Sequence, residues 1–166
     1  IQSSINCEDF NPIKFSKKKN IFLKENLILG TVCNISKVKN IELMIEIFDI
    51  VRVEISHCKL VIIGKVFKNQ ISYYNHLNSL IKKKNIHGDV LFVGEKNDIF
   101  NYLSSFDIYL CTSKSESSPL SVFEAMSMNR LICTTDVGDL NQYLGFDNYS
   151  YVDKNFNKNK MANWIL

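Results

Sequence analysis

Short apolar, β-branched runs alternate with stretches of helical periodicity along most of this chain, and that alternation restricts its fold more than any other feature. The runs lie at 27–33, 59–63, 90–93, 106–111 and 131–134, with a weaker one at 149–152. Each is nearly continuous in apolar character and bounded by Gly, Asn, Asp or Ser, which suits a parallel sheet buried on both faces. Between them, 40–55 places Ile41, Met44, Ile45, Phe48, Val51 and Ile55 near a 3.6-residue period. The stretch 70–84 repeats this with Tyr73, His76, Leu77, Leu80 and Ile81 and ends on Lys82, Lys83 and Lys84, as a helix dipole favours. Shorter helices are expected at 98–104, 119–128, 139–144 and 157–166. This rhythm predicts an α/β fold: a doubly wound parallel sheet of about six strands, with right-handed crossovers and helices on both faces.

With 166 residues, 46% of them hydrophobic and 22% charged, the chain has an ordinary globular composition and is long enough for one real core. Net charge is only +3, and Lys17–Lys19 and Lys82–Lys84 lack interleaved aromatics. They read as solvated surface, and no nucleic acid is expected as a partner. Cys7, Cys33, Cys58, Cys111 and Cys133 show neither paired nor metal-like spacing, and read as reduced small hydrophobes of a cytoplasmic protein. No apolar run approaches the ~18 residues of a membrane span. His57, His76 and His87 are far apart in sequence and read as surface or packing residues.

Ligands of doubly wound sheets bind beyond the carboxyl ends of the strands. Those ends carry Asn34 to Lys39, Gly64 to Val66, Gly94 to Asn97 and Thr112 to Ser121. The densest chemistry is Glu116 to Glu124, reading ESSPLSVFE. Ser118 is the expected N-cap, with Pro119 at the first helical position, where it loses no needed donor. Free N–H groups there suit an anion, although a capped helix without a ligand reads the same way. Glu124 falls among Val122, Phe123, Ala125 and Met126, where a charge is costly unless paired. Either a ligand's hydroxyl pair or a solvent-facing stripe accounts for it.

Taken together, these segments resemble retaining glycosyltransferases of the GT-B fold, family-4 (group 1) type. ESSPLSVFEAM is similar to their paired-glutamate signature, GTVCNISKVKN to their first-strand loop, and KLVIIG to their second strand. DVLFVGEKNDIFNYLSSFDIYLCTSKSE and TTDVGDLNQYL match later segments in order and spacing. The resemblance implies a Rossmann-like donor-binding half, with residues 1–20 as an interdomain linker remnant and 21–166 as the nucleotide-sugar domain. Ile5-Asn6 and Phe10-Asn11-Pro12 carry the linker likeness. The acceptor domain would then precede this chain, and the isolated 166 residues would be inactive.

It also implies roles. Catalytic roles fall on Glu116, which would contact hydroxyls of the transferred sugar, and on Lys39, which would neutralise the departing diphosphate. Donor contacts fall on Asn34 and Lys39, on the backbone of Leu120 and Ser121 with Ser118 and Pro119 beside them, and on Glu124 for the ribose hydroxyls. The backbone of Val93, Gly94 and Glu95 would receive the base. Departures from the pattern are Asn34 for an Arg, with Lys37 the nearest cation to stand in, Ser117 and Val66 for glycines, and Asp139 for the second glycine after Val137.

The implied activity is that of a hexosyltransferase moving sugar from a nucleotide-sugar co-substrate to a glycan or lipid-linked acceptor bound by the missing domain. No cofactor and no metal is expected, and no Asp-x-Asp, Gly-x-Gly-x-x-Gly or P-loop occurs. The setting implied by family habit is surface polysaccharide or glycolipid biosynthesis, with contact at the inner face of the membrane left open. Two alternatives stand beside it: half of a GT-B sugar-nucleotide epimerase, and a non-catalytic nucleotide-sugar-binding module.

Overall fold

A computed structural model describes residues 26–146 and 148–166. The expected linker, Lys17–Lys19 and Cys7 lie outside the described residues. Six strands form one sheet: β1 Leu27–Val32, β2 Cys58–Ile63, β3 Val90–Gly94, β4 Ile108–Cys111, β5 Leu131–Thr135 and β6 Ser150–Asp153. All pairings are parallel and the spatial order is β3-β2-β1-β4-β5-β6. The chain thus winds outward from β1 to one edge, returns to β4 beside β1, and winds to the other edge. The reversal point between β1 and β4 is where such sheets open a crevice.

Among the described residues, five helices cover the sheet: α1 Ile41–Glu54, α2 Ile71–Lys83, α3 Ile99–Leu103, α4 Leu120–Ser127 and α5 Lys158–Ile165. Strand alternation divides the core into two layers. Leu29, Leu60, Ile62, Ile108, Leu110 and Cys133 face α1, α2 and α5. Ile28, Val61, Ile63, Tyr109, Cys111 and Ile132 face α3, α4 and the turn after β5. The last helix folds back across α1, burying Met161, Ala162 and Ile165, and is capped by the Asn157 side chain, which accepts from the Asn159 and Lys160 N–H groups at 3.1 Å.

Three expectations need correction. The helix predicted at 139–144 is a single 3-10 turn, Leu140–Gln142, because Gly138 and Gly145 at φ 61° and 86° break the chain on either side. The helix after Glu116 starts at Leu120; Pro119 is its N-cap and the Ser118 side chain caps nothing. Lys84 is not solvated surface, since it clamps Asp49 of α1 at 2.7 Å. His57, His76 and His87 are exposed as expected, and Cys33, Cys58, Cys111 and Cys133 are free thiols.

Candidate functional site

Two loops leave the sheet at the reversal point. From β1 the chain passes Cys33 to Ser36 and a 3-10 turn, Lys37–Lys39, before Asn40 adopts a left-handed conformation (φ 50°) and α1 begins. From β4 it passes Thr112 to Ser118 into α4. The β1–β4 register stops at Gly30–Tyr109, so the Val32 backbone has no strand neighbour on that side. The Tyr109 hydroxyl fills the gap, donating to the Val32 carbonyl at 3.1 Å and accepting from its N–H at 3.2 Å.

The loops are stitched together above this point. Buried Thr112 donates to the carbonyls of Lys39 and Asn40, both at 3.0 Å, and the Lys114 N–H donates to the Val38 carbonyl at 2.8 Å. Across the mouth, Lys39 Nζ forms an ion pair and hydrogen bond with Glu116 Oε1. The same oxygen accepts from Ser113 Oγ at 2.7 Å. Both pair members keep some exposure, 26% for Lys39 and 16% for Glu116. Burial pushes the neighbouring Cys33 thiol up to about 12, an effect the Lys39 charge only partly offsets. That thiol is neutral and is no nucleophile at neutral pH.

At the start of α4 the Leu120 N–H turns back onto the Ser118 carbonyl at 3.0 Å, while the Val122 N–H reaches the Pro119 carbonyl at 2.9 Å. Ser121 and Glu124, three residues apart, share one helix face. Glu124 is half-buried and its carboxylate has no hydrogen bond or ion pair with another described residue, and burial raises the carboxyl above the usual range. Gly138, at φ 61°, backs this loop so tightly that a Cβ there would lie 3.0 Å from the Ser117 carbonyl and 3.3 Å from Pro119 Cδ.

On the other side of β1, the carboxyl ends of β1, β2 and β3 form an open cleft of about 240 Å³, lined by Asn34, Gly64, Lys65 and Glu95 among others. Gly64 closes its floor: at φ 150°, a Cβ would sit 1.9 Å from the Cys33 carbonyl oxygen. Lys65 and Glu95 pair at 3.1 Å on its rim. Val93 packs its partly buried side chain against the second core layer.

The family model for glycosyl transferases group 1 matches residues 12–164. The chain belongs to that family. An uncharacterized glycosyltransferase of Methanocaldococcus jannaschii is 27% identical over 118 residues, which is 71% of this chain and 28% of the relative. Among solved structures, sucrose-phosphate synthase of Thermosynechococcus elongatus superposes with a TM-score of 0.83 at 19% identity, covering 97% of this chain and 40% of that one. HepE of Anabaena, solved with UDP and glucose, gives 0.79 at 18% identity, covering 85% and 38%. TarM of S. aureus, solved with UDP, gives 0.76 at 25% identity, covering 88% and 29%. The chain thus spans less than half the length of these relatives, and its sheet corresponds to one Rossmann-like half of a GT-B glycosyltransferase.

Within this group 1 domain the carboxyl edge holds all the residues that the sequence singled out, though not as one cluster. Lys39 meets Glu116 at the reversal point, with Ser121 and Glu124 on the adjoining helix, while Asn34 and Glu95 line the cleft across β1. The sequence placed Thr112 and Ser113 at the β4 exit without giving them a role, and singled out neither Tyr109 nor Thr135 nor Gly138. A signal existed: two small hydroxyl residues, Thr112 and Ser113, directly follow the apolar run of β4, and both are buried. A buried hydroxyl at a strand exit needs a partner, and partners at a reversal point come from the site.

Proposed function

We propose that the chain is the donor-binding half of a retaining, metal-independent glycosyltransferase that moves a hexosyl group from a nucleotide-sugar to a glycan or lipid acceptor, working in the cytoplasm in polysaccharide or glycolipid assembly. The observation that carries this reading is the meeting of Lys39 and Glu116, 77 residues apart in sequence, at the reversal point of the sheet. A cation and an anion that neutralise each other in the absence of ligand suit a ligand that offers a partner to each. A diphosphate would take Lys39, and sugar hydroxyls would take Glu116. Lys39 then supplies the positive charge on the departing diphosphate, in the place of a metal ion. The Ser121 N–H and the Glu124 carboxylate would hold the inner phosphate and the ribose, and the backbone of Val93, Gly94 and Glu95 the base beside Asn34.

Membership of the group 1 family supports the reading, and the UDP bound by HepE and TarM makes UDP the first nucleotide to try. Calorimetry tests it. Lys39→Ala should weaken UDP by about tenfold, the worth of one charge-assisted contact, and uridine much less. Equal losses for both would show that Lys39 does not touch phosphate. Product analysis with the full-length protein then tests transfer and the anomeric configuration. One observation favours a second reading, a module that binds donors without transferring sugar: Asn34, exposed in the cleft, stands where the family pattern has an Arg. Donor binding by the full-length protein with no transfer to any acceptor would select it.

A further inference from the structure

The hydroxyl beside Glu116 belongs to a buried chain of donors with a single direction. Ser113 is 3% exposed. A carboxylate only accepts, so the one hydroxyl proton of Ser113 goes to Glu116 Oε1 at 2.7 Å. The Cys111 thiol lies 3.8 Å from Ser113 Oγ and donates into its free lone pair. The Ser113 carbonyl is anchored in turn by the fully buried Thr135 hydroxyl at 2.7 Å. Oε1 therefore takes both Ser113 and Lys39, while Oε2 has no partner among the described residues. A carboxylate held through one oxygen by two donors from different loops cannot rotate freely, and its second oxygen is the one left for a ligand.

We propose that Ser113 is a positioning residue for Glu116, fixing the carboxylate so that Oε2 is the oxygen presented to a hydroxyl of the donor's sugar. This rests on the function proposed above. When a diphosphate draws Lys39 away, the Ser113 hydroxyl is the contact that keeps Oε1 in place, so its effect falls on sugar recognition more than on nucleotide recognition.

The test is the ratio of affinities for a sugar nucleotide and its plain nucleoside diphosphate. Calorimetry of the 166-residue chain with UDP-glucose, UDP-N-acetylglucosamine and GDP-mannose, each against UDP or GDP, selects the pair with the largest ratio. Ser113→Ala should cut that ratio about tenfold, the worth of one hydrogen bond to a charged group. Ser113→Thr, which keeps the hydroxyl, should restore most of it. In a Glu116→Gln background, Ser113→Ala should add little further loss, because the two residues act as one unit. Thr135→Val loosens the loop but leaves the Ser113 hydroxyl, and controls for a purely structural effect. If Ser113→Ala left the ratio unchanged, or added its full effect to that of Glu116→Gln, the positioning role would be overturned while the proposed function stood. A wild-type chain that bound no nucleotide, or whose ratio was unity for every pair, would overturn the proposed function and this role with it.

Discussion

At the residue scale, Glu124 is the sharpest case of a side chain whose sequence context and surroundings disagree. It sits in an apolar helix, half-buried, with nothing among the described residues to pair with, and burial raises its carboxyl above the usual range. A carboxyl whose folded-state pKa is raised holds its proton more tightly when folded, so it costs stability as pH rises from about 4.3, the ordinary glutamate value, through the folded value. Glu124→Gln should therefore raise Tm at pH 7, with the gain disappearing below about pH 4. The same substitution should weaken UDP binding about tenfold if the carboxylate accepts the ribose hydroxyls. Stability gained together with binding lost marks a residue kept for function. A fall in Tm at pH 7 would mean that Glu124 already has a stabilising partner. Gly64 and Gly138 show the opposite economy, since each has no side chain because the site's own backbone occupies the space.

Among the elements, α1 and α2 lie side by side on one face of the sheet and carry the lead-in to Lys39. Their apolar stripes pack together, and a polar clamp locks their carboxyl ends. Asp49 of α1 accepts from Arg52 Nε at 3.0 Å and from Lys84 Nζ at 2.7 Å, and Arg52 also reaches the Lys84 carbonyl at 3.4 Å. Burial alone would raise the Asp49 carboxyl, but the bonds from Lys84 and Arg52 outweigh it and hold it below its usual value. A depressed carboxyl contributes stability above its unfolded pKa of about 3.9 and loses it as pH falls through the lower folded value. Asp49→Asn should accordingly cost about 1 kcal/mol at pH 7, as expected for a partly exposed network. Urea unfolding at pH 7 and near pH 2 measures this, and a deficit that persisted in acid would assign the loss to packing. At the amino end of α1, buried Tyr73 from α2 accepts from the Ile41 N–H at 3.0 Å and donates to Glu42, so the helix following Lys39 is held at both ends.

For the whole molecule, the strand order decides where stability and function lie. With β1 and β4 at the centre and β3 and β6 at the edges, the best-covered backbone lies directly beneath the Lys39–Glu116 crevice. Hydrogen exchange should be slowest at Leu29 to Thr31 and Leu60 to Ile62 and faster in β3 and β6, because edge strands open at lower cost. Equal protection in β3 and β1 would contradict this. Above the protected floor, hydrogen bonds and the Lys39–Glu116 ion pair join the loops after β1 and β4. Among the described residues, no helix is long and apolar enough to cross a membrane.

Local periodicity determined the six strands and the five helices, most ends falling within two residues of expectation, because alternation and a 3.6-residue repeat are properties of neighbouring residues. The order of motifs likewise placed Asn34, Lys39, Glu95 and Glu116 at strand exits and Glu124 within the helix that follows. Only tertiary structure decided which of them meet. Strand order brings β1 beside β4, and so Lys39 to Glu116, while Asn34 falls on the far side of β1 with Glu95. The pull of Thr112 on the Lys39 and Asn40 carbonyls, and the close backing of Gly138, fix the loop that ends in Pro119. A motif read by spacing cannot register such contacts, because they form only when segments 20 to 80 residues apart close over a common core.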